Sequence, residues 1–368
     1  RFLKPPENIT VTQWADKYRI LDAKTSAMPG PWRTEHTPYL QGIMDEFNNY
    51  ETEEIVYVKP TQVGGTECLQ NMVGYIIQQD PAPTMIVYPT DKLAESISDK
   101  RLQPMIKASP NLKSRFSENE STKLELQFDS MYLTLAGSNS PSSLSSRAIR
   151  YLFLDEVDKY PGASKKEADP ISLARERTKT FHNKKIFLTS TPTLREGHIW
   201  KAMEDADIEK HYFVPCPHCG EYIELKMKQI QFPKGEDMSY ADRAEFATYV
   251  CQECGCIITD RDKPDMLRLG EWRVVKENTK FARKVAFWMN TLYSPFVRFS
   301  EVAKEFLESH DDPEKLQNFV NSWLAEPWED TKLKTSADLV MERQTEYEEF
   351  IVPEWTKGLT AGVDVQEN

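Results

Sequence analysis

The segment Ile55–Thr66 constrains the fold more than any other part of this sequence. It reads Ile-Val-Tyr-Val-Lys-Pro-Thr-Gln-Val-Gly-Gly-Thr, an apolar strand followed by a glycine-containing loop and a hydroxyl residue that opens a helical pattern. The common phosphate-binding pattern, G-x-x-x-x-G-K-[ST], would place a lysine at Gly65, whereas Lys59 stands here at the first position. The segment therefore predicts a phosphate-binding loop with a displaced lysine. The alternative is a Gly-Gly turn that only joins a strand to a helix.

Each part of such a loop has a chemical role. Backbone N–H groups and the N-terminus of a helix converge on one anion, and Gly64 and Gly65 allow the close approach that this requires. Thr66, the first helical hydroxyl, would hold Mg²⁺, and Lys59 would fold back over the loop to reach the β- and γ-phosphates. The loop is thus expected to bind a nucleoside triphosphate with Mg²⁺.

Two later segments supply the side chains that this site still lacks. Asp155 and Glu156 follow an apolar strand, where Asp155 is expected to orient the metal and Glu156 to polarise the attacking water, unless the pair marks a surface turn. Thr189 ends another apolar strand before small hydroxyl residues, as a segment that senses the γ-phosphate would. Because ligands of such sheets bind at the carboxyl ends of the strands, the three segments predict one site.

Two further residues are candidates for contacts with the nucleotide. Arg147 lies in a serine-rich loop shortly before the Asp155 strand and is a candidate arginine finger that reaches the γ-phosphate of a neighbouring subunit. A solvated surface arginine is the alternative. Gln41, with Tyr39 and Trp32 nearby, is a candidate for reading adenine, with ordinary packing as the alternative.

Short apolar strands alternate with helical patterns in the middle of the chain, which predicts a mostly parallel sheet covered on both faces. This alternation indicates the α/β class. Together with the nucleotide segments above and the cysteine pairs described below, it leads us to expect a P-loop ATPase of ASCE type with an inserted zinc ribbon and a helical linker subdomain. The candidate strands are Ile55–Val58, Met85–Tyr88, Tyr132–Ala136, Tyr151–Leu154 and Ile186–Thr189. The expected divisions are an N-terminal arm with the adenine-side segment (1–50), the ATPase core (51–205), the ribbon (206–262), a helical lid or linker (263–357) and the first strand of a further domain (358–368).

Four of the six cysteines form two C-x-x-C pairs, each followed by glycine: Cys216 with Cys219, and Cys251 with Cys254. This spacing predicts a structural zinc site in which four thiolates leave no open coordination position. Cys256 or His218 could replace one ligand, although both lie off the C-x-x-C positions. Free thiols are the alternative.

The bulk composition excludes several classes of protein. The net charge of −12 argues against a uniformly basic nucleic-acid coat, but it leaves room for a local basic channel. No apolar run approaches the roughly 20 residues that span a bilayer, so no membrane partner is expected. Six cysteines in 368 residues do not suggest a disulfide scaffold.

The motif order resembles the large terminase subunit of tailed bacteriophages, most closely the lambda-type branch. The resemblance is carried by Lys59 with Gly64-Gly65-Thr66, by Asp155-Glu156-Val-Asp158-Lys-Tyr-Pro161, and by Thr189-Ser-Thr-Pro192. A displaced lysine is itself typical of terminases. Further similarity in Pro31–Thr34, Ala286–Pro295 and Asn321–Trp328 extends the resemblance over nearly the whole chain.

The resemblance implies an ATPase that drives double-stranded DNA into a procapsid, in the cytoplasm of the host cell. It implies a ring of five subunits, a small terminase subunit and the portal protein as partners, and an RNase H-like nuclease after the ATPase. Asp364 looks like the first metal-binding carboxylate of that nuclease. Because two-metal cleavage needs several carboxylates, we expect no nuclease activity from this sequence alone.

Two other functions are compatible with these motifs. A helicase-like DNA remodeller would need a second RecA-like domain, and the residues after 205 offer zinc ligands and helices instead. A zinc-ribbon binding protein with a decayed nucleotide loop would not need Glu156, which simple nucleotide binding does not require.

Overall fold

The computed structural model describes residues 7–24, 26–144, 147–162, 169–234 and 238–329. The strands are β1 (Ile20–Leu21), β2 (Gly30–Pro31), β3 (Glu54–Val58), β4 (Thr84–Tyr88), β5 (Glu125–Phe128), β6 (Met131–Gly137), β7 (Tyr151–Asp155), β8 (Lys185–Ser190), β9 (Ile208–Pro215), β10 (Tyr222–Ile223), β11 (Ile230–Gln231), β12 (Thr248–Val250), β13 (Ile257–Ile258), β14 (Glu271–Glu277) and β15 (Lys284–Trp288).

The helices are α1 (Val11–Tyr18), α2 (Tyr39–Glu46), α3 (Gly65–Gln79), α4 (Asp91–Ile97), α5 (Gln103–Ala108), α6 (Pro110–Lys113), α7 (Pro141–Leu144), α8 (Pro170–Glu176), α9 (His198–Glu204), α10 (Tyr240–Glu245), α11 (Lys263–Arg268), α12 (Phe299–Ser309) and α13 (Pro313–Ser322). A π-helical segment, Ser98–Leu102, joins α4 to α5. Within the described ranges, no helix combines the length and the apolar character that crossing a membrane requires.

The largest sheet has the strand order β10-β9-β15-β3-β8-β7-β4-β6-β5, and β14 also pairs with β9. The strands from β9 to β6 in this order run parallel, whereas β5, β10 and β14 are antiparallel to their neighbours. β8 lies between β3, which leads into the phosphate loop, and β7, which carries Asp155. An additional strand at this place is what the ASCE-type arrangement requires, so the predicted fold class is confirmed.

The central strands form because they are apolar on both faces. Every residue of β4 and β7 is buried, as are four of the five residues of β3. Alternate side chains point to opposite faces of a sheet. Tyr57 and Phe153 accordingly join the core on one face, whereas Val58 and Leu154 join the core on the other. This two-sided burial is the expected signature of a parallel sheet covered by helices.

All five candidate strands are confirmed, with ends that differ by at most one residue. The helix expected after Thr66 is α3, and the irregular connection before residue 131 contains the hairpin formed by β5 and β6.

The N-terminal residues are an integral part of the same compact unit, which runs to Trp328. The Trp14 ring of α1 packs so closely on Gly74 of α3 that a Cβ atom at position 74 would overlap it. The buried Arg19 side chain pairs with Glu67 of α3 at 2.8 Å and donates to Asn71 at 3.2 Å. The first two helices therefore hold α3, and with it the phosphate loop, against the sheet.

The sheet continues beyond residue 205, where the sequence analysis ended the ATPase core. β15 lies between β9 and β3 and pairs in parallel with both, and β14 pairs with the other edge of β9. The interpretation of residues 263–357 as a helical lid or linker therefore missed two strands. β14 is largely exposed and polar, so no apolar pattern marks it as a strand. β15 has five residues, too few for its aromatic side chains to show a helical or a strand period.

The cysteine-containing region is inserted between β9 and β14 and is built from short antiparallel pairs. β10 pairs with the end of β9, and β12 pairs with both β11 and β13. Asn290 donates to the carbonyl of Leu225 at 2.8 Å, and the hydroxyl of Tyr293 accepts from the N–H of Leu225 at the same distance. The insertion is thus anchored to the segment that follows β15. Asp364 and most of the predicted linker lie outside the described residues.

Candidate nucleotide and metal sites

The predicted nucleotide residues meet at the carboxyl edge of the parallel strands. Lys59 directly follows β3, Asp155 ends β7, and Thr189 lies in β8 between them. Thr189 is the register partner of both Tyr57 and Asp155. The N–H of Lys59 donates to Ser190 at 3.2 Å, and the N–H of Glu156 donates to Thr189 at 2.8 Å. These bonds hold the three strand ends side by side.

The loop between β3 and α3 has the backbone that an anion site needs. Gly64 has φ +82° and caps α3, and Gln62 has φ +59°, so the chain turns through left-handed conformations into the helix. Glycine is the residue type that adopts such a positive φ angle most readily, which explains its presence at position 64. The first N–H groups of the 15-residue helix α3 have no partner within the helix, and they lie where the positive end of the helix dipole favours an anion.

Lys59 lies over the start of α3, in the space that a side chain at position 65 would need. A Cβ atom at Gly65 would overlap the Cδ and Cε atoms of Lys59. The lysine is 6% exposed. The glycine at position 65 is thus explained by the lysine that folds back from position 59, and the structure brings the ammonium group to the loop as the sequence predicts.

We expect the substitution Gly65→Ala to weaken ATP binding by about 10- to 100-fold. Its methyl group would expel Lys59, and a hydrogen bond to a charged group contributes roughly 1.5–3 kcal/mol. Calorimetric titration with ATP measures the effect. Gly162→Ala is the matched control, because no atom of the described residues lies within 4 Å of a Cβ placed there. Wild-type affinity in Gly65→Ala would show that Lys59 does not act from this position.

Glu156 bridges two lysines. Its carboxylate lies 3.1 Å from Lys59 Nζ and 3.0 Å from Lys159 Nζ. Burial raises the pKa of Glu156, but the two ammonium groups outweigh this and bring the pKa below its usual value, so the carboxylate is ionised. Glu156 also has φ +56°, a conformation that costs a non-glycine residue energy and that clusters at functional sites. The predicted lysine and the predicted base are therefore ion-paired with each other in this structure.

Asp155 is buried and only partly satisfied. Asp155 is 4% exposed, and its Oδ1 atom has no hydrogen-bond partner among the described residues. Burial raises the pKa of this carboxyl group to about 6. A buried, unpartnered carboxylate oxygen beside a phosphate loop is a fitting donor for Mg²⁺, which prefers oxygen ligands and is usually held by one or two carboxylates plus phosphates.

The two predicted hydroxyl residues stand in different surroundings. Thr66 is the second residue of α3 and is half-buried, so its hydroxyl group is open to a ligand at the helix start. Thr189 is fully buried and its hydroxyl donates to the carbonyl of Tyr57 at 3.1 Å. A response of Thr189 to the γ-phosphate would thus pass through the backbone of β3 rather than through a direct contact.

Asp158 is a functional candidate that the sequence analysis quoted only as part of the resemblance. One carboxylate oxygen accepts from both the N–H and the hydroxyl of Thr193, at 2.8 and 3.0 Å, and the other accepts from the N–H of Ile199 at 2.7 Å. Its own N–H donates to the hydroxyl of Ser190 at 3.3 Å. Asp158 therefore ties the turn that carries Glu156 to the loop that follows β8.

The same loop reaches the end of the compact unit. The carbonyl of Thr193 accepts from Asn321 Nδ2 at 2.7 Å and from the N–H of Trp328 at 2.8 Å. The phosphate loop has a contact of its own there, since the N–H of Thr61 donates to the carbonyl of Ser322 at 3.0 Å. Segment 321–328 is therefore hydrogen-bonded to both loops that surround the site: it donates to the loop after β8 and accepts from the phosphate loop.

Arg147 and Gln41 are not brought to the centre of the site. Arg147 pairs with Glu125 of β5 at 2.9 Å and lies 5.1 Å from the ring of Tyr132. β5 is the fifth strand from β3 in the sheet, which corresponds to roughly 24 Å at about 4.8 Å per strand. Gln41 lies exposed in α2, beside Leu40, whose side chain contacts Gly64. Gln41 thus lies near the loop.

The four predicted zinc ligands converge. The Sγ atoms of Cys216, Cys219, Cys251 and Cys254 all lie within 4.8 Å of one another. Cys216 Sγ and Cys254 Sγ are 3.9 Å apart. Zinc–sulfur bonds of about 2.3 Å in a tetrahedron would place sulfur atoms about 3.8 Å apart, so the four thiols fit a structural zinc ion.

Both C-x-x-C turns have the same backbone. Gly220 and Gly255 have φ values of +78° and +71°, and each N–H donates to the carbonyl of the first cysteine of its turn, Cys216 or Cys251. The imidazole of His218 instead donates to the carbonyl of Ile257 at 2.8 Å. Of the ligand alternatives considered from the sequence, the structure thus favours the four C-x-x-C cysteines.

Comparison with known proteins agrees with this geometry. The family model "Phage terminase large subunit gpA, ATPase domain" matches residues 26–272, and "Terminase large subunit gpA, endonuclease domain" matches residues 284–368. The endonuclease match begins inside the ATPase sheet, because β15 starts at residue 284. Curated relatives are the terminase large subunits of Enterobacteria phage P21 and Escherichia phage lambda, each 26% identical, over 99% and 100% of this chain. The chain spans 59% and 60% of the length of these relatives.

Solved structures with some similarity include the large terminase ATPase domain of Thermus phage P74-26, with a TM-score of 0.45 and 11% identity over 78% of this chain and 92% of that chain. The large terminase of bacteriophage HK97 has a TM-score of 0.44 and 12% identity over 54% of this chain and 41% of that chain. The family assignment depends on the sequence model of the ATPase domain, which covers well over half of the 368 residues. The chain therefore belongs to the phage terminase large subunit gpA family.

Proposed function

We propose that this chain hydrolyses ATP and uses the released free energy to move double-stranded DNA into a viral procapsid. The observation that carries the proposal is the position of Lys59, which lies over Gly65 at the start of α3 and 3.1 Å from Glu156. A lysine, a helix N-terminus and an acidic pair at one strand edge are the parts that phosphoryl transfer to water requires.

Nucleotide binding would rearrange the ion pair between Lys59 and Glu156. The β- and γ-phosphates compete with Glu156 for the ammonium group of Lys59, while the first N–H groups of α3 bind the same phosphates. Thr66 and Asp155 are the residues that would hold Mg²⁺, which would neutralise the charge that develops on the phosphates. Binding of ATP thus releases Glu156 from Lys59.

The released carboxylate then acts on water. Glu156 accepts a proton from the water whose oxygen attacks the γ-phosphorus, and the bond to the β–γ bridging oxygen breaks, which leaves ADP and phosphate. Lys159 stays beside Glu156 and holds it ionised.

Asp158 and Thr193 offer a path from the site to the end of the compact unit. A change at Glu156 moves the turn that Asp158 fixes to Thr193, and Thr193 is bonded to Asn321 and Trp328. Ala325, in the same segment, has φ +54° and is fully buried, a strained position that persists only when its surroundings hold it. We infer that this segment carries the nucleotide state towards the C-terminal residues.

The family and the position of Arg147 support a proposal about the assembly. We propose that the chain works as a ring of five subunits with the small terminase subunit and the portal protein, in the cytoplasm of the bacterial host. The distance of Arg147 from its own Lys59 supports action on a neighbouring subunit, where one arginine contributes about 10³–10⁵ in rate. The cysteine ribbon is proposed to be structural, and Asp364 to belong to the nuclease site.

The test is ATP binding and steady-state hydrolysis by the wild type and by Lys59→Ala. We expect Lys59→Ala to bind ATP about 10- to 100-fold more weakly, because it loses a charge-assisted hydrogen bond to phosphate. Lys159→Ala is the matched control, since Lys159 also pairs with Glu156 but belongs to the turn after β7 and not to the loop between β3 and α3. Equal binding by all three proteins would refute the site.

A further inference from the structure

A second cleft lies at the amino ends of the parallel strands, whereas the nucleotide site lies at their carboxyl ends. Its volume is about 680 Å³, and it is lined by the residues that immediately precede four parallel strands, β3, β7, β8 and β15. A strand of five residues is about 17 Å long, so the cleft is distinct from the phosphate loop. We call it the basic cleft, and define it by Tyr50, Arg150, Lys184, Lys280, Phe281 and Arg283.

The basic cleft is positively charged within an acidic chain. Five lysine and arginine residues line it against three acidic residues, whereas the whole chain carries −12. Glu53 is shared by two cations, Lys184 at 3.2 Å and Arg283 at 2.6 Å, and so neutralises only one of them. Lys280 forms no ion pair with any residue in the described part of the chain. The cleft therefore has positive charge available for a polyanion.

Two aromatic rings at the cleft are almost completely exposed. Tyr50 is 83% exposed and Phe281 is 86% exposed, the highest values among the large apolar side chains that the structure describes as exposed. Neither ring is needed for the core. A basic groove flanked by free aromatic rings is the combination that binds single-stranded nucleic acid, because phosphates pair with the cations and unpaired bases stack on the rings.

We propose that the basic cleft binds an unpaired strand of DNA, with phosphates on Lys280, Lys184 and Arg283 and bases on Tyr50 and Phe281. The proposal rests on the proposed function, since it assigns the strand to the DNA on which the motor acts. A frayed or overhanging end is the kind of DNA that presents such a strand.

The observations favour an unpaired strand over two other polyanions. In a duplex, the base faces are stacked on each other and cannot meet Tyr50 or Phe281. A cleft of this size encloses a ligand of small-molecule dimensions, on the order of one or two nucleotides, and not a duplex. An acidic peptide would satisfy the cations, but it would gain little from two rings that stand free in solvent.

Fluorescence anisotropy with a labelled oligodeoxythymidylate tests the proposal. We expect Phe281→Ala and Tyr50→Ala each to weaken binding by about five- to a hundred-fold, the effect of one base–aromatic stack. Lys280→Ala should reduce the slope of log affinity against log salt by about 0.7, the value for one phosphate contact on a single strand. Phe246→Ala and Lys201→Ala are matched controls, because both side chains are exposed and lie away from the cleft.

The other probes separate the alternatives. A blunt-ended duplex and poly-glutamate are titrated against the same variants, and ATP hydrolysis without DNA is measured in parallel. The proposal is overturned if the cleft variants bind the oligonucleotide like the controls, if they lose duplex binding equally, or if poly-glutamate displaces the oligonucleotide at equal charge concentration. Absence of ATP hydrolysis in the wild type would refute the proposed function. The oligonucleotide titrations would still decide whether the basic cleft binds an unpaired strand.

Discussion

Glu156→Gln should reduce the turnover of ATP by about 10²–10⁴-fold, the contribution of a positioned general base, while ATP still binds. Glutamine keeps the shape of the side chain but cannot accept a proton from the attacking water. It also cannot form the ion pair with Lys59, so the phosphates no longer need to displace a carboxylate from that lysine. We therefore expect Glu156→Gln to bind ATP at least as tightly as the wild type.

This pair of effects distinguishes a catalytic role from a structural one. Loss of Glu156 as a mere structural partner would lower both binding and the midpoint of thermal unfolding. The measurements are steady-state hydrolysis, calorimetric ATP binding and a thermal melt. Glu308→Gln, on the exposed face of α12, is the control for removal of a carboxylate. Weakened ATP binding in Glu156→Gln, or unchanged turnover, would contradict the proposed division of work between Lys59 and Glu156.

The strands that carry the candidate nucleotide site were predictable from the sequence because they are buried on both faces of the sheet. Runs such as Tyr151–Asp155 are apolar without interruption, and each ends in the polar residue that the site uses. The displaced lysine was visible as a position, but the reason for Gly65 was not, since only the folded chain places Lys59 against it. Asp158 was not recognised either, because an acidic residue in a turn has the same local pattern whether it is solvated or bonded to three donors.

The later strands of the sheet were not predictable by the same means. β9 contains Glu209, Lys210 and His211, and most of its side chains are half-buried. Lys210 pairs with Glu46 of α2 at 2.8 Å. His211 is held between the carboxylates of Glu209 and Glu224, at 2.8 and 2.6 Å. The sequence pattern of such polar strands is the same as that of loops. The sequence analysis therefore ended the ATPase core at residue 205.

The position of these strands also bears on the helicase-like alternative. That function needs a second RecA-like domain after the first, whereas β9, β14 and β15 add to the one large sheet that the described residues form. The geometry of Glu156 counts against the binding-protein alternative. Its strained backbone and its position between two lysines are not required for nucleotide binding alone. Hydrolysis of ATP by the wild type would exclude the binding-protein alternative.

Loss of zinc should destabilise this chain severely. Metal binding contributes about 10–16 kcal/mol in zinc-finger peptides, which is comparable to the roughly 5–15 kcal/mol that stabilise a typical domain. Cys216 is the residue that follows β9, and β9 is a strand of the ATPase sheet. The effect of metal loss is therefore expected to spread from the ribbon into the sheet, rather than to stay in the inserted region.

We expect Cys251→Ser to lower the bound zinc below one ion per chain and to reduce the thermal unfolding midpoint strongly, with increased hydrogen exchange in β10, β12 and β13. Cys256→Ser is the matched control: Cys256 is exposed, lies beside the second C-x-x-C turn and is not one of the four clustered thiols. Elemental analysis, a thermal melt and hydrogen exchange with mass spectrometry make the comparison, and a strong chelator should reproduce the effect in the wild type. If Cys251→Ser contained no zinc but melted like Cys256→Ser, the cysteines would not be a structural metal site. The ribbon would then be held by its packing against the rest of the unit, which includes the contacts with Asn290 and Tyr293.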